Sequence, residues 1–213
     1  MPSTTVRRNK LLKPIVFLLA LVPLARLVIA GFTVGLGANP IEVITRRTGY
    51  WTLIFLMVTL AITPVRKMTG LHWLIQYRRM LGLFAFFYGV LHFLTYIWLD
   101  QFFDFSSIAK DVYKRPFITA GFTAFVLLIP LAITSTQGWI RRLKRRWLLL
   151  HRLIYVSAFA GVVHFIWLVK KDLREPLIFA SVLAILLGWR VAAWLLGRRR
   201  MIIPAARPAI TAD

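Results

Sequence analysis

The sequence predicts an all-α integral membrane protein, a bundle of six transmembrane helices with both termini in the cytoplasm. Of its 213 residues 59% are hydrophobic, and the mean hydropathy is +0.72, whereas a soluble domain is nearer half apolar. The apolar residues form blocks of about 17–23, the length that crosses roughly 30 Å of hydrocarbon as a helix. Too little polar sequence remains between these blocks for a soluble domain.

The six apolar blocks define the predicted spans. We place them at about 14–32, 48–64, 80–99, 117–133, 147–169 and 176–196, of which the second and fourth are the short ones. Proline lacks the amide hydrogen that a helix interior needs, so we expect helix ends near Pro14, Pro64, Pro116 and Pro176. No internal repeat is visible. We therefore expect one domain over residues 14–197, between cytoplasmic tails at 1–13 and 198–213.

The distribution of charge predicts the orientation. Basic residues accumulate at the N-terminus, in the second and fourth loops and at the C-terminus: Arg7, Arg8, Lys10, Lys13, Arg66, Lys67, Arg78, Arg79, Arg141, Arg142, Lys144, Arg145, Arg146, Arg198, Arg199, Arg200 and Arg207. Six of the seven acidic residues fall on the other side: Glu42, Asp100, Asp104, Asp111, Asp172 and Glu175. Basic loops mark the cytoplasmic face, so the net charge of +21 indicates topology and membrane lipid, and nucleic acid is not expected as a partner.

Histidine is the candidate metal ligand, because the chain has no cysteine for a thiolate or iron–sulfur site. His92 lies eight residues before Asp100 on the third span, and His164 lies six residues before Lys170 on the fifth. At the helical rise these positions are ~12 Å and ~9 Å inside the outer edge. Two imidazoles at one depth on different helices suit bis-histidine ligation of haem iron. Zinc normally takes four ligands, and no third donor is visible at that depth.

The remaining histidines give weaker signals. His151 lies near the cytoplasmic face and is about 140° from His164 around an ideal helix, so the two need not share a face. His72 falls in the second loop, in a segment typical of the membrane interface. Intramembrane histidines also form hydrogen bonds between helices, so a non-redox membrane scaffold remains an alternative.

Several stretches resemble a known superfamily. The segments "RRMLGLFAFFYGVLH" (78–92) and "LAITSTQGWIRRLKRRWLLLHRLIYV" (131–156), followed by His164, resemble the ferric-reductase-like transmembrane superfamily. Within it, "GFTVGLGANPIEVITRRTGYW" (31–51) and "ITPVR" (62–66) resemble the MsrQ family, the haem-binding membrane subunits of bacterial periplasmic methionine sulfoxide reductase systems.

The resemblance covers roughly residues 11–197 and implies a function. A protein of this family passes electrons from the quinone pool to a periplasmic molybdopterin subunit, MsrP, which repairs oxidised methionines. The resemblance implies b-type haem, FMN, a location in the bacterial inner membrane and a heterodimer with the MsrP-type subunit. It implies an electron-transfer subunit of an oxidoreductase complex and no stand-alone catalyst. A ferric or other metal-ion reductase, or an oxidase-like haem protein, is the alternative within the superfamily.

The resemblance also assigns residues. His92 and His164 match the haem-iron ligands, and His151 matches the inner cofactor position. Oxidases of the superfamily carry a second histidine on the third span, where this chain has Arg78 and Arg79. One haem is therefore expected, and a second is left open.

Arginines near the inner ends of the spans are candidates for contact with the FMN phosphate, because guanidinium suits bidentate phosphate binding. These candidates are Arg78, Arg79, Arg141 and Arg142, all of which serve equally well as topology charges facing anionic lipid. Arg26 and Arg190 lie inside apolar blocks, where a charge usually marks function. Arg26 is at the level of the proposed haem and is a candidate partner for its propionates, although either arginine could extend to a headgroup.

Overall fold

The computed structural model describes the backbone of residues 4–202 and the side chains of residues 12–196. Within that range the fold is helical without strands. Its α-helices are α1 (Thr4–Phe32), α2 (Pro40–Thr69), α3 (Arg78–Leu94), α4 (Phe105–Lys114), α5 (Pro116–Ile133), α6 (Gln137–Leu143), α7 (Arg145–Leu150), α8 (Leu153–Leu168) and α9 (Arg174–Ile202). A 3₁₀ segment, His72–Tyr77, leads into α3, and a π-helical segment, Thr95–Asp100, continues it.

The prediction of six spans is confirmed. Six helical stretches of this range are long and apolar enough to cross a membrane: Leu12–Phe32, Pro40–Thr69, His72–Asp100, Pro116–Ile133, Arg145–Leu168 and Arg174–Leu196. Residues 203–213 of the predicted C-terminal tail lie outside the described residues. The cytoplasmic location of both ends stays a prediction from charge.

The second span is not short, contrary to the prediction. Helix α2 has 30 residues and begins after Asn39, whose side-chain oxygen accepts a 3.2 Å hydrogen bond from the Glu42 amide. It ends at Gly70, which has the left-handed φ of 72° that glycine adopts without strain. Pro64 lies inside this helix, as Pro14 lies inside α1, so neither marks a helix end.

The other two prolines lie where the prediction put them. Pro116 is the first residue of α5 and Pro176 is two residues inside α9. Proline is tolerated in the first turn because the amide of that turn has no partner within the helix.

Two helix pairs form most of the bundle core, α2 with α3 and α5 with α8. Leu56 and Leu60 of α2 pack among α3 side chains such as Ala85, all of them almost fully buried. In the second pair, the buried Ser157 hydroxyl of α8 donates a 2.8 Å hydrogen bond to the Ala124 carbonyl of α5. The chain is thus built around two helical hairpins that lie side by side.

Helix α1 is attached to this core through a tyrosine. The Tyr88 hydroxyl of α3 donates to the Ala20 carbonyl at 2.9 Å and accepts from the Leu24 amide at 3.2 Å. An unbroken α-helix pairs those two backbone groups with each other. The side chain of Tyr88, 1% exposed, therefore joins α1 to α3 beside Pro23.

Candidate metal centre

The structure brings His92 and His164 together from two different helices. His92 lies near the end of α3 and His164 near the end of α8, and both side chains are half-buried. The centroids of the two imidazole rings are 6.1 Å apart, and their planes are inclined by 72°. The equal depth expected from the sequence thus corresponds to direct proximity of the rings.

Each imidazole is fixed through its Nδ1 atom. His92 Nδ1 lies 2.9 Å from the Thr45 carbonyl oxygen, and His164 Nδ1 lies 2.6 Å from the Phe117 carbonyl oxygen. A carbonyl can only accept, so Nδ1 carries the proton in each ring and the Nε2 lone pair is left available. Metal-binding histidines are typically oriented by this kind of hydrogen bond to a backbone carbonyl.

The faces of the two rings lie against glycines. A Cβ added to Gly49 would be 3.0 Å from both Nδ1 and Cε1 of His92, and one added to Gly121 would be 2.7 Å from Nδ1 of His164. Real Cβ atoms are almost never found closer than about 3 Å to another heavy atom, since packing in protein interiors is already dense. The missing side chains therefore leave the space that the imidazoles occupy.

The spacing of the rings fits an iron porphyrin held from both sides. Two metal–nitrogen bonds of about 2 Å each account for most of the 6.1 Å between the centroids. The distance from each ring nitrogen to its own centroid accounts for the rest. A porphyrin would supply nitrogen ligands of its own, so His92 and His164 would be sufficient to complete the ligand set of the iron.

A bare metal ion is a poorer fit. Among residues 12–196 no group of three or more histidine, cysteine, aspartate or glutamate side chains could hold a metal ion. Zinc in a closed site takes four protein ligands. The donor set therefore suits a metal that brings most of its ligands with it.

His151 lies apart from this pair, at the turn between α7 and α8. Its Nε2 is 3.1 Å from the Thr134 hydroxyl, which itself donates to the Pro130 carbonyl at 2.6 Å. The His151 ring stacks on Trp147 at 3.9 Å, and the Trp147 indole donates to the Thr134 carbonyl. The fifth span is thus present, as predicted, but its helix is interrupted at His151 and Arg152, between α7 and α8.

The predicted phosphate-binding arginines are not all in one place. Arg78 begins α3 and is half-buried, whereas Arg79 is exposed. Arg141 is exposed on α6, and the Arg142 guanidinium lies over the Trp139 ring at 5.8 Å. A surface cleft is lined by Arg142, Leu143, Lys144, Arg145 and Arg146.

The other candidates lie on the surface or in the bundle. Arg26 is exposed on α1, and His72 is exposed at the start of the 3₁₀ segment. Arg190 of α9 is half-buried, and its guanidinium donates to the Tyr155 hydroxyl at 3.2 Å, the Leu186 carbonyl at 3.0 Å and the Leu60 carbonyl at 2.6 Å. Arg190 therefore binds the protein itself and does not extend to a headgroup.

Sequence reasoning missed the residues that hold the imidazoles. In both halves the histidine follows its carbonyl partner by 47 positions, and a glycine lies four positions after that partner, at Gly49 and Gly121. This equal spacing is the signal that could have revealed them. The two halves share the spacing of these contacts but have little sequence similarity, so the repeat is not visible as two similar segments.

Comparison with known proteins gives a consistent result. The family model "Ferric reductase like transmembrane component" matches residues 48–162, which include His92 and end two residues before His164. Three similar curated proteins are called protein-methionine-sulfoxide reductase heme-binding subunit MsrQ. The one from Herminiimonas arsenicoxydans is 57% identical over 188 residues, covering 86% of each chain.

The other two relatives are nearly as similar. The protein from Azospira oryzae is 55% identical over 88% of this chain and 81% of its own length, and that from Bordetella parapertussis is 53% identical over 89% and 93%. No solved structure matches. With matches of this identity and coverage, the chain belongs to the ferric-reductase-like transmembrane family and, within it, to the MsrQ family.

Proposed function

We propose that this chain is a b-type haem electron-transfer subunit of a methionine sulfoxide reductase system in the bacterial inner membrane. It takes electrons from the quinone pool and passes them to a periplasmic, MsrP-type molybdopterin subunit with which it forms a heterodimer. The observation that carries the proposal is the facing pair His92 and His164, whose centroids are 6.1 Å apart and whose Nδ1 atoms are bonded to carbonyls. The names of the relatives describe them as haem-binding subunits.

His92 and His164 would hold the haem through Nε2. Between them a bound haem would supply one-electron redox chemistry within the membrane. The Thr45 and Phe117 carbonyls keep the Nδ1 protons in place, which fixes the tautomer and raises the basicity of each imidazole. The Phe117 ring, 6.3 Å from the His164 ring, contributes apolar surface beside the site.

The connections on the proposed outer side support transfer to a partner protein. Apart from the ten-residue helix α4, they comprise only residues 33–39, 101–104, 115 and 169–173. Segments this short can contact a partner, whereas a substrate pocket needs a concave volume of several hundred Å³. This favours a subunit over a metal-ion reductase that works alone.

We place FMN, which the family resemblance implies, at the cytoplasmic side. A phosphate there would meet a strongly basic surface that includes Arg78, Arg79, Arg141 and the cleft lined by Arg142 and its neighbours. Arginine contacts phosphate through two parallel hydrogen bonds, which gives such a site both charge and geometry. His151, at the turn between α7 and α8, is the residue to examine for a second haem.

The test is to quantify haem and flavin per polypeptide in one purified sample and to record its spectrum with and without quinol. We expect a low-spin b-haem band that quinol reduces, at about one haem per chain, and re-oxidation by the periplasmic subunit carrying a methionine sulfoxide substrate. A sample without any b-haem band would exclude the proposal. Re-oxidation by ferric chelates but not by the periplasmic subunit would favour the metal-reductase alternative.

A further inference from the structure

We infer that Gly49 and Gly121 are positioning residues that set the angle between the two imidazole planes. Each glycine belongs to an arrangement that occurs twice in the fold and is here called a cradle: a backbone carbonyl and a glycine, one helical turn apart, that together hold one imidazole. The inference rests on the proposed haem function, because the angle matters only when one metal atom lies between the rings. It assigns a role to two residues that neither bind the metal nor form hydrogen bonds through a side chain.

The first cradle is on α2 and holds His92. The Thr45 carbonyl accepts the Nδ1 hydrogen bond at 2.9 Å. One helical turn later, the α-carbon of Gly49 faces the ring, so that a Cβ there would be 3.0 Å from Nδ1 and Cε1 and 3.5 Å from Nε2. The hydrogen bond fixes the direction of the ring and the glycine fixes its rotation about that direction.

The second cradle is on α5 and holds His164. The Phe117 carbonyl accepts from Nδ1 at 2.6 Å. A Cβ on Gly121, again one turn later, would be 2.7 Å from Nδ1, 2.9 Å from Cε1 and 3.0 Å from Cγ. The space is tighter than at Gly49, so His164 is the more closely confined of the two rings.

The same arrangement occurs in both helical hairpins, which argues against a chance contact between one glycine and one imidazole. Each hairpin places a carbonyl and a glycine four residues apart on its first helix and a histidine on its second, with the same separation of 47 residues between carbonyl and histidine. The packing of α2 on α3 and of α5 on α8 is the most extensive in the described part of the chain. Both glycines thus lie where two rigid helices already fix the backbone.

The consequence is a large angle between the ligand planes, 72°. Each imidazole donates π density into the iron d orbital perpendicular to its own plane. Crossed planes keep two d orbitals close in energy, and the ferric ion then retains a large orbital moment. Ligand orientation is therefore readable by electron paramagnetic resonance, independently of catalytic activity.

The experiment starts with the oxidised wild-type holoprotein. We expect a highly anisotropic low-spin signal, with its highest g value well above that of haems whose axial imidazoles are parallel. The same spectrum is recorded for His151→Ala, in which a haem at the inner position would no longer contribute to the signal. Bound haem with an ordinary rhombic spectrum would overturn the inference and leave the proposed function standing, whereas absence of haem would refute the proposed function itself.

Two variants and a control test the glycines directly. Gly49→Ala and Gly121→Ala should shift the highest g value and reduce haem affinity by roughly 10–100-fold, as loss of a ligand-orienting group does, with Gly121→Ala the more affected. The matched control is Gly82→Ala on α3, whose Cβ would meet only the Thr59 methyl at 3.6 Å, an ordinary contact. It should keep the wild-type signal.

Helix content and chromatographic homogeneity of the apoprotein separate a local effect from misfolding. If Gly121→Ala fails to fold, the inference is still tested by the wild-type spectrum and by Gly49→Ala, whose added Cβ makes the less severe contact. Glycine variants that retain both the wild-type g values and the wild-type haem affinity would overturn the inference.

Discussion

The guanidinium of Arg190 donates a 2.6 Å hydrogen bond to the carbonyl of Leu60, on a helix 130 residues earlier in the chain. The partner that an α-helix would offer this carbonyl is the amide four residues later, which here belongs to Pro64 and carries no hydrogen. Arg190 therefore occupies the position of the missing donor and joins α9 to α2. This contact explains how Pro64 lies inside a transmembrane helix without leaving a bare carbonyl.

We predict that Arg190→Leu destabilises the protein by about 1–3 kcal/mol, the cost of an unsatisfied buried polar group. In that background Pro64→Ala should recover part of the loss, because alanine restores the amide that pairs with Leu60. The free energy of unfolding in detergent is measured for the wild type, Arg190→Leu, Pro64→Ala and the double variant. The difference between the effect of the double variant and the sum of the two single effects is the coupling energy. Arg47→Leu, at an exposed position of α2, is the control. Strict additivity would contradict the explanation.

The iron-ligand assignment predicts that His92→Ala and His164→Ala each abolish the proposed outer haem. His151→Ala should leave most of that haem signal, because the His151 ring is bonded to Thr134 and not to either ligand. The pyridine haemochrome spectrum of each purified variant measures the retained haem. His72→Ala, at an exposed residue, serves as the control. Loss of all haem in His151→Ala alone would show that the pairing is wrong.

Tyr88→Phe should weaken the attachment of α1 while leaving the rest of the bundle intact. The hydroxyl bridges two backbone groups of α1, and a typical hydrogen bond contributes about 0.5–1.5 kcal/mol. Hydrogen exchange at the amides around Leu24 should accelerate, whereas exchange in α5 should not change. Tyr113→Phe, whose side chain is 89% exposed, is the matched control. Equal exchange in Tyr88→Phe and wild type would contradict the role of the bridge.

Helix α4 should respond to acid through its N-cap. Hydrogen bonds from the Ser107 backbone amide and hydroxyl, with further bonds from Ser106, lower the pKa of the Asp104 carboxyl. A lowered folded-state pKa means that the stabilisation is present above the unfolded pKa, about 3.9, and disappears as the pH falls through the folded value. Hydrogen exchange at the amides of α4 should therefore become faster below about pH 4. At each pH the rate is compared with that of Asp104→Asn, which has no carboxyl group to titrate at this position. No difference between the two proteins at any pH would refute this.

The sequence allowed the six spans to be located, because apolar block length is fixed by membrane thickness. The C-terminal end of the second span was predicted wrongly, at Pro64 and not at Thr69, because proline is normally excluded from the interior of a helix. The contact that makes Pro64 tolerable comes from Arg190, 126 positions further along. Distant compensation of this kind cannot be read from a local pattern.

For the candidate site, depth was predictable and orientation was not. Counting residues from the outer ends of two spans placed His92 and His164 at one level, and the structure has their rings adjacent. The carbonyls and glycines that orient the rings belong to other helices, and rotation about each helix axis depends on tertiary packing. The estimate of 140° for His151 assumed a helix that in fact breaks at His151.

Because each hairpin contributes one imidazole, the site does not exist in either half alone. During synthesis the first hairpin can enter the bilayer with Thr45, Gly49 and His92 already assembled, yet it holds only half of the coordination. The second half arrives when His164 leaves the ribosome, after more than three quarters of the chain has been made. Cofactor loading would thus be a late event in biogenesis, and a polypeptide truncated after its fourth crossing would remain colourless.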